Sequence, residues 1–394
     1  MKAPRPVWTL GVVALVVGAC SASVAQNPQK PGETPAAPPA ASSGATFKLA
    51  GLAGLTGRFA NYGQDFQRGA ELAVAQLNAS GGVLGAKVEI SFQDTANDPV
   101  GTVRLARQAA SDPSIAAIVG PNDSASGLAL APVLPDLKIV GMLGGQAPWN
   151  GSFNAWTFRT QLPINQAAAP LANALAHQLN VKSMAITYAN DNDFSKRESQ
   201  SLQDALKAVN IPVVDVEAYK TGDTDFSTQI TNILSHNPDA WYLSGTVKES
   251  GNIILQARNA GYKGLFVGGY SILQDPSIMS LTNNEASGSI TWGQTPYTSS
   301  RPSMVKFYQT FKSTYGADPG DSACGAYTAV LLLANAAKSA GSTTNRQAIR
   351  DALGKTAGFV GPWSDYTYSG SGDNTTPTVI LFKVNSQGQA VPLQ

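Results

Sequence analysis

The chain has 394 residues, a net charge of +1 and only 13 % charged residues. That length can bury large cores and suggests two domains. The near-neutral balance, with no basic stripe or Arg-rich run, argues against nucleic acid as a partner.

The N-terminus reads as an export signal. Lys2 and Arg5 precede an apolar run from Val7 to Ala19, short for a membrane span and the right size for a signal peptide. Val17-Gly18-Ala19-Cys20 resembles the bacterial lipobox, which would make Cys20 a lipidated N-terminus; Ser23-Val24-Ala25 offers a rival, ordinary cleavage site. Residues up to Gly44 are rich in Pro, Ala and Ser without apolar periodicity, as in an extended or disordered tether. A tether is what a lipidated protein needs to hold its folded part off a membrane. Only Cys324 then remains in the folded region, so no intrachain disulfide is expected there, and its small-residue surroundings suit a buried packing thiol.

From Phe47 strands and helices alternate. Strand Phe47 to Leu52, helix Asp65 to Asn78, strand Val88 to Phe92 and helix Val100 to Ala110 lead to a short β-branched run, Ile115 to Val119, with another strand from Lys138 to Leu143. After a loop holding Trp149, Trp156 and Phe158 the pattern restarts. Helices are expected at Asn165 to Leu179, Lys196 to Val209, Phe226 to Ser235 and Lys248 to Ala260, with strands at Ser183 to Tyr188, Val213 to Val216, Ala240 to Leu243 and Gly264 to Val267. An extended stretch, Ser287 to Trp292, precedes helices near Ser303 to Tyr315, Asp321 to Ala340 and Asn345 to Leu353. The tail reads as strands Val360 to Tyr368 and Thr378 to Val384. Repeated βα units imply mostly parallel sheets with helices on both faces, and two runs of them imply two such lobes with a ligand cleft at the strand ends between them.

The stretch that ends the Ile115 strand is the most suggestive. Gly120 and Pro121 break the strand, and Ser124 and Ser126 stand at the mouth of a helix carrying Leu128, Leu130, Val133 and Leu134. Hydroxyls at a helix start serve as plain caps; at a strand end they also make a seat for a carboxylate or another small acceptor.

Enzyme signatures do not emerge. The two histidines, His177 and His236, lie in separate apparent helices, and the chain contains no His-Glu-x-x-His, no Cys pair at metal spacing and no Gly-x-Ser-x-Gly. A histidine triad or a His/Cys zinc site is not expected. Gly51, Gly54 and Gly57 follow a strand but are spaced three and three, unlike a dinucleotide or phosphate loop. Asp94, Asp98, Asp191 and Asp193 read as turn-forming residues. No metal or cofactor is expected.

Strand Lys48 to Leu52, Leu55-Thr56-Gly57, Tyr62-Gly63 and the helix ending Asn78-Ala-Ser-Gly-Gly-Val-Leu-Gly85 resemble the leucine/isoleucine/valine-binding protein family, the type I periplasmic solute-binding proteins of ABC importers. Asp94 followed by Asn97-Asp98-Pro99, Ile118-Val119-Gly120-Pro121, Asp225-Phe226-Ser227, Tyr327-Thr-Ala-Val-Leu-Leu-Leu-Ala and Gly361-Pro362 continue the likeness. The resemblance implies two doubly wound, Rossmann-like α/β lobes joined by three crossings, near Arg159 to Leu162, Gly293 to Tyr297 and Gly358 to Gly361. Residues 1–19 would be the signal peptide and 20–45 the lipidated cysteine and tether. Residues 46–160 with 296–357 would form the first lobe, and 161–295 with 358–394 the second.

The same resemblance assigns candidate ligand residues. Ser124 matches the serine that holds the ligand carboxylate. Gly144-Gly145-Gln146 matches the next backbone grip, with Gln146 where a Thr is usual. Tyr62 and Phe194 match aromatic walls, and Trp149 is a further wall. Thr246 replaces a second-lobe Tyr, and Tyr270 stands where the family carries the acid that meets a ligand ammonium. Asn97 and Asp123 occupy the places of the family's disulfide. With no acid at position 270, a buried ammonium would need another partner, such as Asp191, Asp193 or Glu249; an amide, a small carboxylate or an aromatic acid would need none.

The expected protein is therefore an exported, non-enzymatic, monomeric substrate-binding lipoprotein, periplasmic or at the cell surface. It would close two lobes around a small solute and deliver it to the membrane permease of an ABC importer. The alternative is a ligand-sensing module of the same fold.

Overall fold

A computed structural model describes residues 46–57, 60–146, 154–270, 272–275, 277–370 and 372–393. The expected signal peptide, Cys20 and tether lie outside these residues, as does Trp149.

The first half builds one sheet. Strands β1 (Thr46–Ala53), β2 (Lys87–Asp94), β3 (Ile115–Val119), β4 (Val140–Leu143) and β5 (Thr157–Arg159) lie in the order β2-β1-β3-β4-β5, all parallel. Helices α1 (Ala60–Ala79), α2 (Pro99–Ser111), α3 (Ser124–Leu130) and α4 (Leu134–Leu137) connect them. Asp98 caps α2 by accepting from the Val100 and Gly101 N–H groups, and Pro99 fits the first turn, where no donor is missed. Two of the three glycines that might have suggested a nucleotide loop, Gly51 and Gly54, are packing devices, tight against Phe92 and Asn97. A Cβ on Gly51 would strike the Phe92 ring, and the Gly54 carbonyl lies where a Cβ on Gly63 would have to go.

The second sheet carries α5 (Ile164–His177), β6 (Met184–Ala189), α6 (Asp193–Ala208), β7 (Val213–Tyr219), α7 (Ser227–Ser235), β8 (Ala240–Ser244), α8 (Val247–Asn259), β9 (Leu265–Tyr270), α9 (Ser277–Leu281) and β10 (Ile290–Gly293). Its parallel part runs β7-β6-β8-β9-β10. The chain then returns to the first core with α10 (Pro302–Tyr315), α11 (Asp321–Ala340) and α12 (Arg346–Gly354). Helix α11 is almost wholly apolar and buried, and it lies against α1 so closely that a Cβ on Gly69 would stand 2.0 Å from the Ala323 carbonyl oxygen. Two strands, β11 (Phe359–Val360) and β12 (Asp365–Tyr366), form a small hairpin, and β13 (Ile380–Val384) and β14 (Ala390–Pro392) complete the second sheet in antiparallel fashion.

Two doubly wound lobes with three crossings result. The first crossing follows β5 through Thr160, Gln161 and Leu162, and the second follows β10 through Gln294 and Thr295. The third is displaced from the expected Gly358 to Gly361. Trp363, Tyr366 and Tyr368 fill the first core, the Tyr366 hydroxyl donates to the Thr160 carbonyl at 3.1 Å, and that of Tyr368 donates to the Arg159 carbonyl at 2.8 Å. Thr376 still donates its hydroxyl to the Asp365 carbonyl, so the chain leaves the first lobe only between Thr376 and Ile380. Three large aromatic rings, two of them with satisfied hydroxyls, anchor this segment more strongly than its glycines free it. Residues 358–376 thus pack with the first lobe, not the second.

Candidate functional site in the interlobe cleft

The carboxyl ends of β1, β2 and β3 are stitched together by side-chain amides. Gly54 N–H donates to Asn122 Oδ1 at 2.9 Å, and Asn97 Nδ2 donates to Asp123 Oδ2 at 3.2 Å. Asn97 and Asp123, which the resemblance set at the places of a disulfide, are joined here by a hydrogen bond. Asp123 is also the cap of α3, its Oδ1 accepting from Ser126 N–H at 2.9 Å. The capping role considered for the serines thus belongs to Asp123, and Ser124 is the first helical residue, 6 % exposed.

The end of β4 lies directly against this helix start. Gly144 N–H donates to the Pro121 carbonyl at 2.7 Å, and Gly145 has φ +84°. Its backbone approaches so closely that a Cβ would sit 2.8 Å from Ser124 Oγ, N and Cα. Gln146 follows, its carbonyl accepting from Ile164 N–H at 3.0 Å, while its side-chain Nε2 is buried without a hydrogen-bond partner. The structure therefore brings Ser124, Gly144, Gly145 and Gln146 together.

Sequence reading missed what holds this strand end. Arg159, fully buried at the end of β5, donates from Nε to Asp373 Oδ1 at 2.7 Å and from Nη1 to the Gly145 carbonyl at 3.2 Å. Burial pulls the Arg159 guanidinium below its ordinary range and pushes the Asp373 carboxyl up, and their mutual attraction opposes both shifts.

On the second lobe, Tyr270 closes β9. Its ring meets Trp292 edge-on at 5.1 Å, and its hydroxyl bonds Gln294 Oε1 at 3.2 Å, an oxygen that also accepts from Leu162 N–H. Gln294 thus ties the second crossing to the first. Beneath Tyr270 lies an acid that sequence reading did not single out. Glu198 of α6 is fully buried, accepts from Tyr270 N–H at 2.8 Å and bonds the Ser244 hydroxyl. Burial pushes its carboxyl up to about 7, against the pull of those hydrogen bonds. A Cβ on Gly269 would stand 2.5 Å from Glu198 Oε2, so the glycine makes room for the acid.

Thr246 precedes α8 and bonds Glu249, whose other oxygen accepts from Gly222 N–H at 2.7 Å. Phe194, in the first turn of α6, is half-buried against the second core. Tyr62 is 41 % exposed; its hydroxyl is pushed up to about 12 by burial, then by the carboxylates of Asp321, Asp275 and Glu249. Asp321 belongs to the first lobe and the other two to the second, so Tyr62 stands where the lobes face each other. Helices α3 and α6 also touch across this gap.

The other candidate acids have structural partners. Asp191 accepts from the N–H and hydroxyl of Thr221, Asp193 lies 3.9 Å from Lys196, and Asp94 accepts from Leu55 and Thr56. Both histidines are exposed, and Cys324 is buried with its thiol pushed well up by desolvation. Among the described residues no group of three or more His, Cys, Asp or Glu side chains is placed to hold a metal ion, and no helix is long and apolar enough to cross a membrane.

Comparison with known proteins agrees with this architecture. The sequence pattern of the periplasmic binding protein family matches residues 46–389. A Leu/Ile/Val-binding protein homologue of Brucella melitensis is 26 % identical over 344 residues, 86 % of this chain and 91 % of its own. The crystal structure of a leucine-binding protein from Thermotoga maritima superposes with a TM-score of 0.76 at 25 % identity, over 88 % of this chain and 97 % of that one. A solute-binding protein of an ABC transporter from R. palustris, in complex with benzoate, superposes equally well (0.76) at 18 % identity, over 88 % and 95 % of the two chains. The chain belongs to the periplasmic binding protein family, in its type I leucine/isoleucine/valine-binding group.

Proposed function

We propose that this chain is the extracytoplasmic substrate-binding component of an ABC importer, which closes its two lobes around a small solute and hands it to a membrane permease. The observation that carries the reading is the seat formed where Gly145 lies on Ser124 at the start of α3, a helix that touches α6 of the second lobe, whose first turn carries Phe194. Such strand-end clefts are where doubly wound folds hold ligands, and closure follows from contacts that exist only when both lobes engage the solute. The residues proposed to touch it are Ser124, Gly144, Gln146, Tyr62, Phe194, Thr246 and Tyr270, with Trp149 as a further wall.

Binding without turnover is part of the proposal. Cys324 and both histidines stand outside the cleft surface just described, and the chemistry of the seat is hydrogen bonding. Export and a lipid anchor on Cys20 follow from the leader and the Pro/Ala/Ser-rich tether, and the working form is a monomer. A thermal-shift panel of amino acids, amides and carboxylates tests the central claim: a ligand of the site raises the melting temperature and Ser124→Ala abolishes the rise. No response to any solute overturns it. Mass spectrometry of the membrane fraction tests the lipid on Cys20.

A further inference from the structure

Tyr270 is held from both ends. Its N–H donates to Glu198 Oε1 at 2.8 Å, and its hydroxyl bonds Gln294 Oε1 at 3.2 Å, the oxygen that also accepts from Leu162 N–H. The other oxygen of Glu198 bonds the Ser244 hydroxyl at the end of β8, and that hydroxyl lies 3.2 Å from the Ser195 carbonyl in α6. One connected run of hydrogen bonds thus leads from α6 and the end of β8, through the end of β9, to the first and second crossings. Helix α6 also carries Phe194 in its first turn and touches α3, which begins at Ser124.

The run has two arrangements. The Ser244 hydroxyl has one proton and two acceptors within reach, Glu198 Oε2 and the Ser195 carbonyl. A charged Glu198 accepts from that hydroxyl. A neutral Glu198 donates its own proton to Ser244 Oγ, and the hydroxyl turns to Ser195. The groups that contact Glu198 are uncharged: the Ser244 and Tyr242 hydroxyls of β8 and the Tyr270 N–H of β9, with the Tyr219 hydroxyl of β7 close enough to feel its charge. Strand β6 and helices α3 and α5, which also pack on α6, bring Tyr188 and the exposed His177. On α6 itself Asp193, Lys196 and Arg197 share the first turns, with Asp193 and Lys196 facing each other at 3.9 Å. Burial prevails over the hydrogen bonds and sets the Glu198 carboxyl at about 7, so both arrangements are populated near neutral pH.

Given that the cleft binds a small solute, we infer that Glu198 is a positioning residue for that binding: it sets Tyr270 and the crossings Tyr270 anchors, and it couples the grip on solute to the proton it exchanges with Ser244. The direction follows from the topology. Strand ends face the cleft, so lobe closure takes water away from above Glu198 and disfavours its charged form. The carboxyl is then raised further in the closed state than in the open one, and solute binding takes up a proton. Affinity is greatest where Glu198 is neutral and falls as pH rises through about 7.

Isothermal titration of the purified full chain with L-leucine, benzoate and benzamide tests this, since none of these probes changes charge between about pH 5.5 and 8. For a probe that binds, the dissociation constant should rise about fivefold or more over that range, and titration in two buffers of different ionisation enthalpy should show proton uptake. Glu198→Gln, which keeps an acceptor for Tyr270 N–H and a donor for Ser244, should flatten the profile to within about twofold. Glu198→Leu, checked for folding by circular dichroism, leaves Tyr270 N–H unpaired and should bind about tenfold more weakly than Glu198→Gln at every pH. If the leucine variant does not fold, the glutamine variant decides alone. Binding that is independent of pH in the wild type, a pH profile unchanged in Glu198→Gln, or equal affinities of the two variants overturns the inference while leaving solute binding intact. A flat thermal-shift response to the whole solute panel at both pH values overturns the solute-binding reading and this inference with it.

Discussion

Gly145 rests on Ser124 so closely that its missing side chain is part of the site: a Cβ there would stand 2.8 Å from the serine hydroxyl, on a backbone with φ +84°. Gly145→Ala combines a left-handed strain of about 1 kcal/mol with a contact that real Cβ atoms do not make. The variant should unfold at lower denaturant concentration by about 2 kcal/mol or more and lose solute affinity by more than tenfold. Chemical denaturation and calorimetry on the same preparation check both.

Asp123 and Ser124 separate the two roles that a helix start offers. Asp123 accepts from Ser126 N–H and from Asn97 Nδ2, so Asp123→Ala should cost about 1–2 kcal/mol of stability. Ser124→Ala should cost less than about 1 kcal/mol in urea unfolding while abolishing the ligand-induced thermal shift. An equal stability loss in the two variants would return Ser124 to a structural role.

Arg159 and Asp373 form a buried pair that also grips the strand end through the Gly145 carbonyl. Removing one member leaves the other buried and uncompensated, so Arg159→Met should cost about 3–5 kcal/mol. In a double-mutant cycle with Asp373→Asn the second change should cost far less than it does alone. Additive losses measured by denaturation would show that the two charges act separately.

Glu198 makes stability depend on pH in a direction opposite to that of a paired carboxylate. Its folded-state pKa, about 7, lies above the ordinary value of 4.5. Its contribution is therefore complete below the ordinary value and is lost as pH rises through about 7. Burial likewise raises Asp65 to about 6, against the hydrogen bonds from Gly320 and Ala323, so it acts in the same sense. Glu198→Gln mimics the protonated form, one amide atom accepting from Tyr270 N–H and the other donating to Ser244. The variant should lose most of the decline in stability between pH 5 and 8, a difference on the order of 3 kcal/mol. Melting temperatures across that pH range check it; an unchanged slope counts against Glu198 as the titrating group.

Much of the architecture was legible because its signals are local. Gly320 and Gly341 flank a long, mostly apolar segment, and α11 runs over Asp321–Ala340, the range that periodicity alone suggests. The alternation of β-branched runs and amphipathic segments was enough to infer two parallel sheets, since a strand or helix depends on residues within about one turn of each other. The cleft-facing strand ends followed from that topology, and with them the helix start at Ser124; the Gly144 to Gln146 turn was pointed to only by the family resemblance.

What only the tertiary structure decided are the partnerships between distant residues. The hydrogen bond from Arg159 to Asp373 spans 214 positions, and that from Tyr270 to Glu198 spans 72. No periodicity connects such residues, because their meeting depends on how one strand end stacks on a helix from another βα unit. The third crossing was misplaced for the same reason. Glycines at 358 and 361 advertise a break in the chain, but the sites filled by Trp363, Tyr366 and Tyr368 exist only after the first lobe has assembled. Local sequence thus determined the elements and their order. Packing decided which acid lies under Tyr270, which cation holds Gly145, and where the chain passes from one lobe to the other, because burial and charge pairing are properties of the assembled lobes rather than of any single segment.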